Sequence, residues 1–236
     1  MQVHTLFTGV ANTHLIANSR GVIVVDAGMP HQARRIVNAL RALGHPPQAV
    51  RLILITHGHI DHAGSAVALQ KVTGAPIALH RGDARLVETP SLKIPPGRNA
   101  ATEVIGALMR AFGWAMPLET FTPDVWLEDE QSLREFGLDA RVIHTPGHTA
   151  GSVSVLCDDG TLFVGDAILN LVHVAFPLFW EDPARARESA LKIHALKPRV
   201  CYTAHGRAFD AGELDAFIAR VKKSETWPER SRRIRD

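Results

Sequence analysis

THGHIDHAG, residues Thr56–Gly64, places three histidines and one aspartate within six residues, directly after the apolar run RLILI, which predicts a buried strand. In an extended backbone alternate side chains point the same way, so His57 and His59 can hold one metal ion together. Asp61 and His62 follow at once, and because neighbouring side chains diverge, they are better placed for a second ion close by. The stretch therefore predicts a metal-binding loop at the end of a strand.

A metal site of this kind needs ligands from other parts of the chain, because a catalytic zinc ion takes about three protein ligands and a water molecule. Three further candidates each follow a predicted strand and adjoin a glycine: His148 in HTPGHTAGS, Asp166 in FVGDA and His205 in YTAHG. We expect the four loops to meet at one edge of a pair of sheets. His144 is expected to point away from the metals, and His80 to lie at the surface or behind the ligands.

These motifs, in this order, resemble the metallo-β-lactamase superfamily: T-H-x-H-x-D-H, then T-P-G-H-T-x-G-S, then G-D, then H-G. The resemblance extends from about Leu6 to Ile218, and Val25–Gly28 looks like the early D-x-G turn of the family. It implies an α/β protein with the four-layer αββα sandwich of that family, with residues 1–236 as a single domain.

The resemblance implies two adjacent metal sites, with two divalent ions as cofactors. Zinc is the first expectation, and iron and manganese are alternatives. It also implies that Asp26 supports the metal-binding loops through hydrogen bonds, whereas the alternative is a plain turn aspartate. The implied ligands are His57, His59 and His148 for the first metal, Asp61, His62 and His205 for the second, and Asp166 as a bridge between both.

Metal chemistry then predicts a hydrolase. A metal ion lowers the pKa of bound water from about 15.7 towards about 7, so a hydroxide shared by two ions is a strong nucleophile at neutral pH. We expect this hydroxide to attack a carbonyl carbon, with Asp61 as the catalytic carboxylate that orients it and helps to pass a proton to the leaving group. The expected substrate is a small ester, lactone or thioester.

Departures from the family's branches bear on the substrate. Glutathione thioesterases of the family usually add a helical domain, whereas only about thirty residues follow His205 here. No tyrosine follows Asp166, as it does in the quorum-quenching lactonases. Two alternatives stay open: a mononuclear iron persulfide dioxygenase, which would use His57, His148 and Asp166, and a catalytically silent binding module.

The apolar stretch AILNLVHVAFPLFWED follows Asp166 closely. Together with an insertion near Leu108–Met116, it is a candidate wall for an apolar substrate pocket, and ordinary core packing is an equal alternative. If a pocket forms, the substrate has an acyl or other apolar part. The pocket candidates are Leu169, Leu171, Phe176, Phe179 and Trp180.

The composition is typical of a globular protein: 46% of the 236 residues are hydrophobic, 21% are charged, and the formal net charge is +2. Only two cysteines, the absence of a signal-peptide pattern and the absence of a long apolar run predict a cytoplasmic protein without a membrane span. The basic tail, about residues 223–236, is interrupted by acidic residues, which favours a solvated terminus. We expect a small-molecule substrate and no nucleic-acid partner. The oligomeric state is left open, with a homo-oligomer as one alternative.

Hydrophobic periodicity predicts two similar halves, each with strands followed by helices. About residues 88–122, which are rich in proline and glycine near the start, are predicted to be an insertion or a lid. The predicted strands are Val3–Val10, His14–Asn18, Val22–Asp26, Arg51–Ile55, Pro76–Leu79, Val125–Leu127, Leu138–His144, Ser152–Leu156, Thr161–Gly165 and Val200–Ala204. The predicted helices are Pro30–Leu43, Ala63–Val72, Val104–Trp114, Ala184–Leu196 and Ala211–Lys222.

Overall fold

A computed structural model describes residues 1–89, 97, 99–112 and 119–223 of the chain. Two β-sheets lie face to face, and helices cover the outer face of each sheet. Three predicted parts lie outside the described residues: the basic tail beyond Lys223, the end of the helix predicted over Val104–Trp114, and the end of the candidate pocket wall at Met116.

The first sheet has six strands in the order of the sequence. The first three strands pair antiparallel, and the last three add to the third in parallel. The strands are β1 (Gln2–Phe7), β2 (Asn12–Asn18), β3 (Gly21–Val25), β4 (Val50–Leu54), β5 (Ile77–His80) and β6 (Val125–Leu127).

The second sheet has five strands in the order β13-β12-β9-β8-β7. A separate short hairpin, β10 with β11, follows β9 in the chain. Within this sheet β9 and β12 are parallel, and the other neighbours are antiparallel. The strands are β7 (Ala140–His144), β8 (Val153–Cys157), β9 (Thr161–Gly165), β10 (Leu169–Asn170), β11 (Val174–Ala175), β12 (Val200–Thr203) and β13 (Phe209–Asp210).

The described residues contain seven α-helices, six between these strands and the seventh after β13. They are α1 (Ala33–Ala42), α2 (Ile60–Ala63), α3 (Ala66–Thr73), α4 (Ala84–Glu88), α5 (Ala100–Phe112), α6 (Pro183–Ala195) and α7 (Ala211–Lys223). Helix α6 begins one residue before the predicted start, at Pro183. The Asp182 side chain caps it by accepting a hydrogen bond from the backbone N–H of Arg185, and Pro183 occupies the first turn.

Alternation along the strands builds three apolar cores. On β3, Val22 and Val24 face a core shared with α1 and α3, whereas Ile23 and Val25 face the core between the two sheets. A third core lies between the second sheet and helices α6 and α7. Helix, sheet, sheet and helix therefore stack in four layers, and the predicted αββα sandwich is confirmed.

Most predicted elements are present, with boundaries that shift by a few residues. The helix predicted over Ala63–Val72 is two helices, α2 and α3, and the first of them begins at Ile60, inside the histidine motif. The helix predicted to begin at Val104 begins earlier, at Ala100. The short strands β10, β11 and β13 were not predicted from the sequence.

The loops of interest all leave the carboxyl ends of strands. His57 follows β4, His148 follows β7, Asp166 follows β9 and His205 follows β12. Strand β9 runs parallel to β12, so the last two loops emerge at the same edge of their sheet. A backbone hydrogen bond of 2.9 Å from Val153 N to Thr56 O joins the two sheets beside this edge.

The middle of the chain is attached to the loop before α6. Gly97 forms an isolated antiparallel bridge with Phe179, and α5 follows directly. The lid role of this segment stays a prediction. None of the described helices combines the length and apolarity that a bilayer span requires.

Candidate metal centre

Three imidazole nitrogens form a compact triangle at the sheet edge. His57 Nε2 lies 3.0 Å from His59 Nδ1, and His148 Nε2 lies 3.2 Å from His57 Nε2 and 2.9 Å from His59 Nδ1. Around a tetrahedral zinc ion with zinc–nitrogen bonds of about 2.0–2.1 Å, ligand nitrogens are about 3.3 Å apart. The triangle therefore has nearly the dimensions of three corners of a tetrahedral zinc site. We refer to these three residues as the three-histidine group.

Hydrogen bonds to the outer nitrogens fix two of these rings and leave their inner nitrogens free to act as ligands. His148 Nδ1 donates to the carbonyl oxygen of Phe179 at 2.8 Å. His57 Nδ1 lies 3.2 Å from Thr56 Oγ1, and that hydroxyl donates in turn to Asp26 Oδ2. Such partners set the tautomer and the orientation of metal-binding histidines.

Asp61, His62 and His205 form a second group beside the first. His205 Nε2 lies 3.3 Å from Asp61 Oδ2, and His62 Nε2 lies 3.6 Å from the same oxygen. His205 Nδ1 donates to the carbonyl oxygen of Val10 at 2.9 Å, so its Nε2 faces the group. We refer to these three residues as the aspartate–histidine group.

Asp166 lies between the two groups. Its Oδ2 is 3.5 Å from His148 Nε2 and 3.4 Å from His205 Nε2, and its Oδ1 is 3.7 Å from His62 Nε2. These separations exceed those of good hydrogen bonds and suit atoms that share an ion. All seven predicted ligands are therefore brought together at the sheet edge, and their action as ligands stays a prediction.

Asp26 supports the loop that carries the first histidines. Its Oδ1 accepts a hydrogen bond from the backbone N–H of Thr56 at 2.8 Å, and its Oδ2 accepts from the Thr56 hydroxyl and from His62 Nδ1, each at 2.9 Å. Its φ of 63° lies in the left-handed region, which aspartate tolerates better than most residues. The hydrogen bonds predicted for Asp26 are present, and its carboxylate contacts His62 Nδ1, so that His62 Nε2 faces the aspartate–histidine group. Its support of metal binding stays a prediction.

Burial favours neutral imidazoles at two members of the three-histidine group, His57 and His59. Desolvation, and after it the charge of His62, lowers the pKa of His57 well below its ordinary value of 6.5. Desolvation and the neighbouring His148 lower the pKa of His59 to about 3. Because a metal binds the neutral imidazole, these two rings need lose no proton to bind a metal at neutral pH.

The aspartate–histidine group has the opposite electrostatic character. Burial disfavours charge on its histidines, but the surrounding carboxylates outweigh burial and raise the pKa of His62 to about 9 and that of His205 to about 11. Burial likewise acts against the charged carboxylates, yet the histidines hold the pKa of Asp61 and of Asp166 below the usual range. Protons on the histidines compensate this negative charge as a divalent cation would.

The residues present fit metal ions. Among the described residues, His62 Nε2 and Asp166 Oδ1 are buried without a hydrogen-bond partner. Buried polar atoms are rarely left in this state, and an ion is one of the ordinary explanations. His62 and Asp166 also form, with His57, a buried set of three whose ligand atoms lie within 4.8 Å of one another. A bound cation would satisfy both of their unpaired atoms.

Asp83 is a buried carboxylate of this region that no motif in the sequence marks. It follows β5, and its side chain is hydrogen-bonded to the loops that carry His57 and His148. The one signal in the sequence is its position after a strand, where the candidate ligands also lie. Its role became visible only with the fold.

The apolar candidates after Asp166 occupy different environments. Phe176 and Trp180 are buried in the core between the second sheet and α6 and α7, which favours ordinary packing for these two. Leu169 is buried, Phe179 is half-buried, and Leu171 is 60% exposed. A substrate pocket built from these residues stays a prediction.

His80 and His144 stack on each other, with ring centroids 4.2 Å apart. His144 Nε2 lies 3.0 Å from the carbonyl oxygen of Ala150, in the loop that carries His148. Neither ring belongs to the metal-capable groups formed by the described residues. This arrangement agrees with the expectation that His144 points away from the candidate ligands and that His80 lies at the surface or behind them.

Comparisons with known proteins agree on one family. The family model described as "Metallo-beta-lactamase superfamily" matches residues 6–205. The "Probable metallo-hydrolase YflN" of Bacillus subtilis is 28% identical over 222 residues, which are 86% of this chain and 83% of that protein. A hydroxyacylglutathione hydrolase of Albidiferax ferrireducens is 28% identical over 193 residues, which cover 79% of this chain and 59% of that enzyme.

Among solved structures, the B3 metallo-beta-lactamase BLEG-1 superposes with a TM-score of 0.75. The match covers 93% of this chain and 99% of that one at 23% sequence identity. At this level of identity the likeness concerns the fold.

Proposed function

The chain belongs to the metallo-beta-lactamase superfamily, and we propose that it is a dinuclear metallo-hydrolase that cleaves a small ester, lactone or thioester. One observation carries the proposal. Seven metal-capable side chains from four loops lie in two adjoining groups, with one carboxylate between them. That arrangement supplies about three protein ligands to each of two ions.

The two groups suit divalent ions of slightly different preference. Zinc suits the three-histidine group, because the spacing of its three imidazole nitrogens matches the tetrahedral geometry of zinc. The aspartate–histidine group adds carboxylate oxygens, which iron and manganese also accept. The proposed ligands are His57, His59 and His148 in the first group, Asp61, His62 and His205 in the second, and Asp166 in both.

A bound divalent ion lowers the pKa of water towards about 7 and polarises a carbonyl, and so it provides both nucleophile and electrophilic assistance at neutral pH. Asp61 is the proposed catalytic carboxylate. Burial alone raises its pKa, but His62 and His205 outweigh burial and keep it ionised at neutral pH. With 21% of its side chain exposed, Asp61 can accept a hydrogen bond from the attacking water and take up its proton for the leaving group.

Two observations bear on the substrate class. One relative is named a hydroxyacylglutathione hydrolase, so an acylglutathione belongs among the substrates to be tested, although the match spans only 59% of that enzyme. The apolar side chains of Leu171 and Val172, 60% and 87% exposed, follow the strand that begins at Leu169 and offer a surface for an apolar acyl part. The proposed substrate is therefore a small molecule with an apolar portion.

The first test is the metal content of protein purified without added metal, followed by hydrolysis of an ester, lactone and thioester panel. We expect near two zinc ions per chain and hydrolysis that a chelator abolishes. One iron per chain together with oxygen uptake would favour the dioxygenase alternative. A chain that binds no metal even when zinc is added would contradict the hydrolase and favour a silent binding module.

A matched pair of histidine variants makes the assignment specific. His148→Ala removes a proposed ligand, and His144→Ala removes a histidine of the preceding strand that stacks on His80. We expect the first variant to lose metal and turnover and the second to retain two ions per chain. Equal metal loss in both variants would contradict the ligand assignment.

A further inference from the structure

Asp83 connects the two halves of the three-histidine group. It lies in the turn Arg81–Asp83 after β5, and its side chain is buried, with 1% relative exposure. Its Oδ2 accepts a hydrogen bond of 2.8 Å from the backbone N–H of Gly58, the residue between His57 and His59. On this side the carboxylate holds the loop that the first sheet supplies.

The same carboxylate holds the loop that the second sheet supplies. Asp83 Oδ2 also accepts from the Thr149 hydroxyl at 2.7 Å, and Oδ1 accepts from the backbone N–H of Gly151 at 2.6 Å. Thr149 directly follows His148 in the chain. One buried side chain thus ties the His57–His59 segment to the His148 segment.

Close packing reinforces this connection. A Cβ atom added to Gly82 would lie 2.8 Å from the backbone of Ala150, and one added to Gly151 would lie 2.5 Å from the backbone nitrogen of Asp83. The turn and the His148 loop are therefore in direct backbone contact. Asp83 itself is not part of any metal-capable group found in the described part of the chain.

We propose that Asp83 is a positioning residue that sets the spacing of the three-histidine group, and with it the affinity of that group for a divalent cation; this inference rests on the proposed function. The spacing of ligands around zinc tolerates little error, and residues that orient the ligands typically contribute 10–100-fold to metal affinity. Among the described residues, the hydrogen bonds of Asp83 go to Gly58, Thr149 and Gly151 and not to the aspartate–histidine group, so the affinity of that group should not change.

Asp83→Asn is the decisive variant. A carboxylate accepts from all three donors, whereas a carboxamide has one oxygen and turns an N–H₂ group towards at least one of them. Chelator-treated protein is titrated with Zn²⁺ against a chromophoric chelator. A parallel titration uses Co²⁺, whose absorption differs between a site of three imidazoles with the shared Asp166 and a site of two imidazoles with two carboxylates. We expect one of two metal equivalents, the one with the three-imidazole spectrum, to bind about 10–100-fold more weakly than in the wild type.

Two further variants separate positioning from general stability. Asp124→Asn is the matched control, because Asp124 Oδ2 accepts a hydrogen bond of 2.8 Å from the backbone N–H of Ile77, at the opposite end of the same strand β5. It should lower the melting temperature of the metal-free protein without changing either affinity. Thr149→Val removes only one of the three hydrogen bonds, and it should weaken the same metal equivalent by a smaller factor.

The possible outcomes are distinguishable. Wild-type affinities for both equivalents in Asp83→Asn, whatever its melting temperature, would overturn the positioning role. If Asp83→Asn does not fold, unchanged affinity in Thr149→Val would likewise overturn the role, and a selective loss would support it. A wild-type chain that binds no metal at all would instead contradict the proposed function on which this inference rests.

Discussion

Asp61 is the residue on which the proposed reaction depends most directly. It lies within reach of His205 and His62, it is ionised at neutral pH, and part of its side chain is exposed. We predict that Asp61→Ala lowers kcat by about 10²–10⁴-fold on whichever substrate the wild type cleaves. The measurement is steady-state kinetics at saturating zinc, with metal content determined for the same sample.

An exposed aspartate provides the control for this prediction. Asp139 pairs with Arg20 and has 52% of its side chain exposed, so Asp139→Ala should keep wild-type turnover. If Asp61→Ala retains both metals and near wild-type kcat, Asp61 has no catalytic role. If it loses one metal together with activity, its main contribution is as a ligand.

His14 predicts a pH dependence of stability in the metal-free protein. It is buried against Phe163 and Tyr202, and burial lowers its pKa from 6.5 to about 4 although the carbonyl oxygen of Thr203 acts the other way. Between pH 6.5 and about 4, His14 therefore binds a proton in the unfolded chain but stays neutral in the folded chain. The contribution of neutral His14 to the free energy of unfolding is fully present above pH 6.5 and is lost as the pH falls towards 4.

The test compares wild type with His14→Leu in a chelator. Between pH 6.5 and about 4.5, the free energy of unfolding of the variant should fall less steeply, by up to about 1.4 kcal/mol per pH unit. The slope is the readout, because the variant also loses the hydrogen bond between His14 and Thr5 at every pH. Parallel pH profiles would show that His14 titrates equally in both states.

At the residue scale, the sequence marks the candidate ligands and the supporting aspartate Asp26, but it does not mark Asp83. Histidines and aspartates clustered after apolar strands mark their chemistry in the sequence itself. Asp83 carries no such mark, because its hydrogen-bond partners lie 25, 66 and 68 residues away in the chain. A carboxylate that accepts only from loops brought together by folding cannot be distinguished in the sequence from an ordinary turn aspartate.

At the scale of elements, the hairpin of β10 and β11 supports the His205 loop. Asn170 N donates to His205 O at 3.1 Å, and Arg207 N donates to Asn170 O at 3.1 Å. Between them Gly206 has a φ of +103°, and a Cβ atom there would lie 2.0 Å from Asn170 O. Both the backbone conformation and the close approach require glycine at this position.

Gly206→Ala should therefore be far more damaging than a glycine change that meets open space. Gly44 also has a positive φ, +81°, but an added Cβ meets nothing within 4 Å among the described residues. We expect Gly44→Ala to cost about 1–2 kcal/mol of unfolding free energy and Gly206→Ala more than about 3 kcal/mol. Urea unfolding of the metal-free variants gives both values.

The same pair tests whether the hairpin serves the metal centre. Gly206→Ala should also weaken zinc binding at the aspartate–histidine group, because it displaces the adjoining His205, and Gly44→Ala should leave zinc binding unchanged. Equal costs for the two substitutions would mean that the chain around Gly206 relaxes easily.

The elements themselves show where sequence patterns suffice. Buried strands such as β4 and β9 and amphipathic helices such as α1 carry a full hydrophobic period, so they were predicted to within a few residues. Strands β10, β11 and β13 have two residues each, too few for any periodicity, and their partners alone define them. Helix α2 was missed at its start because its first turn is the metal motif itself.

At the scale of the molecule, the centre lies where the two halves join. The three-histidine group takes His57 and His59 from the first half and His148 from the second, and Val153 N donates to Thr56 O beside it. The core between the sheets continues behind this edge, with Leu54 from the first sheet and Val155 from the second. A metal ion in the group would therefore link both halves, which we expect to unfold together as one domain.

Metal removal should consequently lower the stability of the whole chain. An ion present at about 100 times its Kd adds about 2.7 kcal/mol per site, and for a chain of this size each kcal/mol moves the melting temperature by about 2–4 °C. We predict that zinc raises the melting temperature of chelator-treated protein by at least about 5 °C in a single transition. Calcium, which prefers oxygen ligands, should give little shift at the same concentration. Two transitions, with only one of them sensitive to zinc, would show that the halves unfold separately and that the ion does not join them.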